Sequence, residues 1–163
     1  MCTYSWKVFL TIEMWVSASL LQLILGSPDA NRLYGDLMRD YNKLIRPVVR
    51  NTDILTVFFG IKFIQLINVD EVNQVITTNV IVRQSWVDYK LAWHPDNYGG
   101  IEQMDVLSNS IWTPDIVLYN NADGNYHVAR VTKATVRFTG EVSWDPPAIW
   151  KSYCLVSWDQ VGK

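Results

Sequence analysis

The sequence predicts a mainly β domain in which one N-terminal helix precedes an antiparallel β-sandwich. Apolar residues recur at three- and four-residue spacing between Leu33 and Ile45, which is the period of an amphipathic helix. Residues 55–69 are rich in Val, Ile and Phe, which favour strands. Residues 129–144 alternate between apolar and polar side chains, as strands with one solvated face do. The order of these patterns therefore indicates a helix followed by strands.

Bulk composition limits the classes of function. The 163 residues suit one domain, and a hydrophobic fraction of 49% with eight tryptophans predicts a sizeable core. A net charge of −2 argues against a nucleic-acid partner, which needs a basic surface. His94 and His127 lie in loop-like segments without a neighbouring cysteine, so we expect no metal site and no cofactor. We also expect no enzyme, because no serine–histidine–acid arrangement and no carboxylate pair stands out.

The N-terminal segment has the pattern of a secretory signal peptide. Residues 8–26 are mostly apolar, follow Lys7 and end at the small residues Gly26 and Ser27. We interpret residues 1–26 as a cleaved signal, which places the mature chain in the secretory pathway. A membrane-spanning helix is the alternative, but the run is barely long enough, and Glu13 inside it costs roughly 3 kcal/mol on insertion.

The first structured element is expected to be a helix. Ser27, Pro28 and Asp29 supply a capping hydroxyl, a proline in the first turn and a carboxylate facing the helix dipole. The apolar stripe that follows comprises Leu33, Leu37, Met38, Tyr41, Leu44 and Ile45. We expect the helix to end at Pro47, because the residue before a proline avoids the α region.

Residues 76–93 form the longest strand-like run. Alternation assigns one face to Val87, Tyr89, Leu91 and Trp93 and the other face to Gln84, Trp86, Asp88 and Lys90. Trp86 is therefore expected to be a large aromatic on the polar face. A single exposed tryptophan can be without function, but on a strand face it also suits ligand binding. Trp93 has the opposite parity and is expected in the core.

The alternation in residues 129–144 predicts a strand pair that turns at Thr139 and Gly140. Its apolar side consists of Ala134, Val136, Phe138, Val142 and Trp144, and its polar side of Lys133, Thr135, Arg137, Thr139, Glu141 and Ser143. The pair of prolines at Pro146 and Pro147 is expected to break the second strand.

Residues 111–124 contain the strongest candidate for a ligand contact. An apolar run ends at Tyr119, and residues 120–124 are rich in Asn, Asp and Gly, which predict a chain reversal. Tyr119 is therefore expected at the rim of a sheet beside a tight turn, where a rigid aromatic ring can meet a small ligand.

The other distinctive residues of this segment are interpreted as structural. For Trp112, Pro114 and Asp115 we expect a buried indole and a carboxylate that bonds backbone amides at a corner of the fold. Asp123 is expected to stabilise the turn beneath Tyr119.

Several ordered sequence blocks resemble the ligand-binding domain of the nicotinic acetylcholine receptor family, which consists of pentameric ligand-gated channels. The resemblance runs from residue 28 to residue 154 almost without a gap. It includes residues 32–34, 41–48, 73–79, 86–91, 112–124 and 146–154. Because several blocks occur in one order, the signal is far more specific than a match to one motif.

The resemblance implies a fold and a set of residue roles. It implies an incomplete immunoglobulin-like sandwich over residues 27–154, with the helix capping its top. It places Tyr119 on the principal face of the agonist pocket, which lies between subunits. On the complementary face it places Trp86, Thr135, Ser143 and Asp145, although the last three are equally consistent with ordinary solvent-facing residues.

The resemblance stops after Cys154, which matches the first cysteine of a disulfide-closed loop. Residues 155–163 contain no second cysteine and no Phe-Pro-Phe-Asp, so we expect a divergent tail. The implied parent is an acetylcholine-gated cation channel subunit at the extracellular face of the postsynaptic plasma membrane. It would bind acetylcholine or a related quaternary ammonium agonist and assemble with other subunits into a pentamer.

We interpret the chain as a fragment of such a subunit that lacks the pore. The alternative is a soluble fragment, secreted or retained in the endoplasmic reticulum, that binds acetylcholine or interferes with assembly without channel activity. Tyr119 and Trp86 are expected on opposite sides of a subunit, so the isolated chain should bind agonist negligibly. A Trp86 indole deep inside the hydrophobic interior, or a helical rather than β scaffold after Leu55, would contradict this interpretation.

Overall fold

The structure, a computed structural model, describes residues 27–124 and 131–155. The predicted signal peptide, His127 and the tail after Leu155 lie outside the described residues. The described part is mainly β, as predicted, with helix α1 (Pro28–Met38) and strands β1 (Phe58–Asp70), β2 (Val75–Val87), β3 (Gln103–Leu107), β4 (Lys133–Arg137), β5 (Glu141–Trp144) and β6 (Pro147–Tyr153). Short 3-10 helices cover Tyr89–Leu91, Pro95–Tyr98 and Ser108–Ser110. Within the described residues, no helix is long and apolar enough to cross a membrane.

Helix α1 begins where the sequence predicts and ends earlier. The Ser27 hydroxyl accepts a hydrogen bond from the Ala30 N–H at 3.4 Å, which confirms the predicted cap. The predicted continuation to Pro47 is wrong, because α1 ends at Met38, and Leu44 and Ile45 are exposed. The Asn42 side chain accepts the Leu44 N–H at 2.9 Å, so a local side-chain bond replaces a helical backbone bond there.

The strands form one antiparallel sheet in the order β1-β2-β5-β4-β3, and β6 also pairs with β2. Strand β2 pairs with β1 along one edge. Along its other edge it pairs with β6 in its first half and with β5 in its second half. Pro146 separates β5 from β6, as the proline pair predicts, and its carbonyl accepts the Val82 N–H at 3.0 Å. The hydrogen bonding of β2 therefore continues across the break.

The sheet has a core face and a polar face. We define the core face by the directly opposed residues Trp86, Val142 and Val136, together with their alternating neighbours. We define the polar face by the directly opposed residues Ser85, Ser143 and Thr135 and their own alternating neighbours. The core-face residues named here are at most 1% exposed.

The predicted face assignment in β2 is wrong. Gln84, Trp86 and Asp88 point into the interior, whereas Val87 is 56% exposed and Tyr89 is 48% exposed. The strand ends at Val87, and the 3-10 turn Tyr89–Leu91 changes the phase of the alternation. Leu91 and Trp93 are buried after that turn, so four apolar residues at alternate positions do not share one face.

Candidate functional site

Tyr119 is held in an exposed position by a turn against β6. Its side chain is 96% exposed. The next residue, Asn120, accepts the Tyr153 N–H at 3.0 Å through its carbonyl and donates its side-chain amide to the Tyr153 carbonyl at 3.1 Å. Two residues further, the Ala122 N–H donates to the Lys151 carbonyl at 2.9 Å. The chain around Tyr119 is thus fastened to the outer edge of β6, and the ring projects into solvent at the rim of the sheet.

Asp123 participates in the turn that follows Tyr119. Its carboxylate accepts the Asn121 side-chain amide at 3.0 Å and lies 3.5 Å from the Lys151 ammonium. The Asn121 side-chain oxygen in turn accepts the Asp123 N–H at 3.0 Å. This reciprocal Asx-type bonding fixes the turn, and the ion pair connects it to β6.

Trp112 packs at the boundary of the core. Its ring meets the Trp86 ring edge to face, with centroids 5.8 Å apart and an interplanar angle of 84°. Pro114 is half-buried, and Asp115 is exposed. The backbone N–H of Trp112 donates to the Tyr41 hydroxyl at 3.0 Å, so the segment that leads to Tyr119 is anchored at its start.

A hydrogen-bonded pair of half-buried Tyr41 and fully buried Asp88 provides that anchor, and the sequence patterns did not identify it. The Tyr41 hydroxyl donates to the Asp88 carboxylate at 2.6 Å, and the Lys90 N–H donates to the other Asp88 oxygen at 3.0 Å. Burial raises the pKa of the Asp88 carboxyl above its ordinary value, although both hydrogen bonds oppose that effect. Burial and the bond to Asp88 also raise the pKa of the Tyr41 hydroxyl well above its usual range.

Trp86 requires a correction. The sequence predicts an exposed indole on the polar face, but the side chain is 1% exposed and belongs to the core cluster. Its position opposite Val142 places it on the core face. Within the described residues the Trp86 Nε1–H has no hydrogen-bond partner, in contrast to the Trp93 Nε1–H, which donates to the Ile101 carbonyl at 2.7 Å. The predicted exposure of Trp86 is therefore wrong, and its role in ligand binding stays a prediction.

Thr135, Ser143 and Asp145 lie on the polar face or at its margin. Thr135 and Ser143 are directly opposed in the β4–β5 ladder, and the Thr135 hydroxyl donates to Asp105 at 2.8 Å. The Asp145 carboxylate lies 3.3 Å from the Arg83 guanidinium. Ser143, Asp145 and Arg83 line a shallow groove of about 260 Å³. These three predicted residues are thus neighbours, but the sheet separates them from the Trp86 indole.

A larger groove of about 560 Å³ lies next to this one. Residues 47–49 and 53–56 form one wall, and the other wall includes Phe58, Val87, Tyr89 and Glu141. Trp86 borders the groove but contributes almost no surface, since its side chain is 1% exposed. Both grooves are open, so a partner surface would have to close them over a small ligand.

Tyr119 is far from the predicted complementary residues. Its neighbour Asn120 bonds to Tyr153, which opposes Val75 at the start of β2. Trp86 lies eleven residues further along the same strand. At about 3.3 Å per residue this part of β2 is roughly 35 Å long, so the Tyr119 turn lies near one end of the strand and Trp86 near the other.

Cys154 has an exposed thiol that forms no disulfide within the described residues. Its backbone N–H donates to the Gln74 carbonyl at 3.0 Å, which keeps the end of β6 beside the β1–β2 turn. The disulfide implied by the resemblance therefore stays a prediction.

Comparison with known proteins identifies the class to which this fold belongs. Residues 30–160 match the family model of the neurotransmitter-gated ion-channel ligand binding domain. The chain is 62% identical over 129 residues to acetylcholine receptor subunit beta-like 2 of Drosophila melanogaster. The aligned residues are 79% of the chain and 25% of that protein. It is 59% identical over 131 residues to acetylcholine receptor subunit alpha-like of Manduca sexta, with 80% and 25% covered. It is 51% identical over 132 residues to acetylcholine receptor subunit alpha-1-A of Xenopus laevis, with 81% and 29% covered.

The chain belongs to the neurotransmitter-gated ion-channel ligand-binding domain family. The predicted relationship to a nicotinic receptor subunit is confirmed by these relatives, which are receptor subunits and not enzymes. The chain spans about a quarter of the length of the first two relatives.

Proposed function

We propose that this chain is the extracellular ligand-binding region of an acetylcholine-gated cation channel subunit. The match of residues 30–160 to the family model carries the proposal, and the relatives named as acetylcholine receptor subunits support it. Within that region Tyr119 forms part of the principal face of the agonist pocket. Thr135, Ser143 and Asp145 belong to the complementary face, which meets a neighbouring subunit of the pentamer.

The exposure of Tyr119 supports its part in this proposal. A quaternary ammonium group is weakly hydrated and is attracted to the face of an aromatic ring, by roughly 0.5 to 2 kcal/mol per ring. Tyr119 offers such a ring without having to move, because its side chain is 96% exposed and its turn is bonded to β6. Trp86 can supply a second ring only if its indole becomes accessible at a subunit interface, so its ligand role stays a prediction.

One ring is insufficient for strong binding. Micromolar affinity requires about 8 kcal/mol, which exceeds what a single ring face supplies. Because the Tyr119 turn lies near the start of β2 and the other predicted contacts lie near its end, we expect the isolated chain to bind acetylcholine negligibly. Agonist binding should instead require a neighbouring subunit that completes the pocket.

The test compares variants of Tyr119 in assembled receptors that contain this domain. We expect Tyr119→Ser to weaken acetylcholine binding by about 2- to 30-fold, because the ring contributes roughly 0.5 to 2 kcal/mol, and Tyr119→Phe to change it much less. Tyr34→Ser serves as the control, since Tyr34 is also a solvent-exposed tyrosine but lies on α1. Equal affinities for the Tyr119→Ser and unmodified receptors in an equilibrium binding assay would refute the assignment.

A further inference from the structure

Asn120 bonds to one residue of β6 through two different groups. Its backbone carbonyl accepts the Tyr153 N–H at 3.0 Å, and its side-chain amide donates to the Tyr153 carbonyl at 3.1 Å. Among the standard side chains only asparagine and glutamine carry an amide donor, and glutamine is longer by one methylene. The residue next to Tyr119 is therefore one that few others could replace in this contact.

Tyr153 is itself fixed to the sheet. It opposes Val75 at the start of β2, and the next residue, Cys154, donates its N–H to the Gln74 carbonyl at 3.0 Å. The backbone groups of successive strand residues point to opposite edges, so Cys154 bonds towards β2 and Tyr153 bonds towards Asn120. The two bonds of Asn120 therefore attach it to a part of β6 that is paired on its other edge.

Two bonds to one residue constrain direction as well as position. The carbonyl bond alone would allow the Asn120 backbone to rotate about the line between the two bonded atoms. The amide bond removes that rotation, because its donor belongs to the side chain of the same residue. Tyr119 is joined to Asn120 through one planar peptide, so the direction of the Tyr119 side chain depends on the amide.

The turn after Asn120 has bonds that do not involve its side chain. The Ala122 N–H donates to the Lys151 carbonyl at 2.9 Å, in addition to the Asx-type bonds described above. Asn120 is exposed, so water can replace its amide as the partner of the Tyr153 carbonyl. Removal of the amide should therefore leave the fold in place and change chiefly the direction of Tyr119.

We propose that Asn120 is a positioning residue for the agonist-binding ring of Tyr119, and that it acts through its side-chain amide. This inference rests on the proposed function, in which Tyr119 contacts the quaternary ammonium group. Cation–π attraction requires the cation over the face of the ring, within about 6 Å of the ring centroid. The amide holds the ring in the direction in which that face meets the ligand, so Asn120 affects binding without touching the agonist.

A double-mutant cycle in assembled receptors that contain this domain tests this role. We expect Asn120→Ala to raise the acetylcholine dissociation constant about 3- to 10-fold, because a displaced ring loses part of an attraction whose complete removal costs about 2- to 30-fold. In receptors that already carry Tyr119→Ser, Asn120→Ala should change the constant by less than about twofold, since no ring remains to be positioned.

Asn42→Ala is the matched control in both receptors. The Asn42 side chain also bonds a backbone group in a turn, the Leu44 N–H at 2.9 Å, but it lies in the segment after α1. We expect this variant to change the acetylcholine dissociation constant by less than about twofold, with or without Tyr119→Ser.

Nuclear magnetic resonance on the full chain tests the positioning without agonist. With 15N-labelled tyrosine, we expect the Tyr119 backbone N–H to have an order parameter of about 0.85, the value of a rigid backbone, and Asn120→Ala to lower it towards about 0.6. Tyr34, which lies on α1, is the internal reference and should not change. The urea midpoint should shift little in the same variant, because the lost bond is exposed.

Three results would overturn the proposal: equal acetylcholine dissociation constants for Asn120→Ala and unmodified receptors, an undiminished effect of Asn120→Ala in receptors that carry Tyr119→Ser, or an unchanged order parameter at Tyr119. Failure of the proposed function would differ from these results. In that case Tyr119→Ser would leave acetylcholine binding unchanged, while Asn120→Ala would still lower the order parameter at Tyr119.

Discussion

Replacing Tyr41 by phenylalanine should destabilise the fold strongly, although it removes a single oxygen atom. That oxygen donates to the Asp88 carboxylate at 2.6 Å and accepts the Trp112 N–H at 3.0 Å. Asp88 is fully buried, so no water replaces the lost donor at the carboxylate. A hydrogen bond to a charged group contributes about 1.5 to 3 kcal/mol, and an unpaired buried N–H costs about 1 to 3 kcal/mol. The two losses are coupled, and the surrounding structure can adjust to the missing oxygen. We therefore expect a loss of about 2 to 5 kcal/mol in the free energy of unfolding.

Urea unfolding followed by tryptophan fluorescence measures this loss. The control is Tyr98→Phe, because the Tyr98 hydroxyl also donates to an aspartate, Asp36, at 3.2 Å but at an exposed site. We expect the control to cost less than about 1 kcal/mol, since water replaces the lost partner. Equal losses in the free energy of unfolding for Tyr41→Phe and Tyr98→Phe would show that the Tyr41–Asp88 pair does not anchor the Trp112 segment.

Two further predictions concern the same part of the fold. Because burial raises the pKa of Asp88, the folded chain holds this proton more tightly than the unfolded chain, whose value is about 3.9. The protonated Asp88 carboxyl therefore contributes to the free energy of unfolding. This contribution is fully present below the pKa of the unfolded chain, and it is lost as the pH rises through the higher pKa of the folded chain. In urea unfolding at a series of pH values, the free energy of unfolding of Asp88→Asn should therefore increase relative to that of the unmodified chain as the pH rises. A difference between the two that does not change with pH would contradict the raised pKa. Gly140→Ala should cost about 2 to 4 kcal/mol in the same assay, because φ is 83° and the new Cβ would lie 2.5 Å from the Asp88 carbonyl oxygen. Gly100→Ala, with φ 80° and nothing within 4 Å of its new Cβ, should cost only about 1 kcal/mol.

The strands that alternate regularly could be predicted from the sequence. Ala134, Val136, Val142 and Trp144 are buried as expected, because a two-residue period with one wet face determines which side faces the core. Phe138 is 40% exposed because it lies beyond the end of β4, where the turn removes it from the alternation. Periodicity is therefore informative within a strand and fails at its ends.

The face of Trp86 could not be predicted, because hydropathy does not reveal a satisfied buried carboxylate. Asp88 made the face of Gln84 and Trp86 look polar, but Tyr41 supplies its hydrogen bond from a segment 47 residues away in sequence. The early end of α1 accompanies the same long-range bond, since Tyr41 lies three residues after Met38 and bonds to Asp88. Contacts between distant segments thus overrode both local patterns.

The candidate site was only partly predictable. The turn residues after Tyr119 predicted an exposed ring at the rim of a sheet, and the ring is 96% exposed beside β6. The separation of Trp86 from Thr135 and Ser143 depends on the register of β2 with β5, which no local pattern specifies. Arg83, which pairs with Asp145, also went unnoticed, because an isolated cation in a strand gives no signal of its partner.

The most direct test of the proposed function varies the electron density of the ring at residue 119 without changing its size. In assembled receptors that contain this domain, residue 119 would be replaced by phenylalanine and then by phenylalanines that carry one, two and three ring fluorines. Each fluorine weakens the negative face of the ring, so we expect the acetylcholine dissociation constant to rise stepwise with fluorine count. An unchanged dissociation constant across the series would contradict cation–π binding at Tyr119.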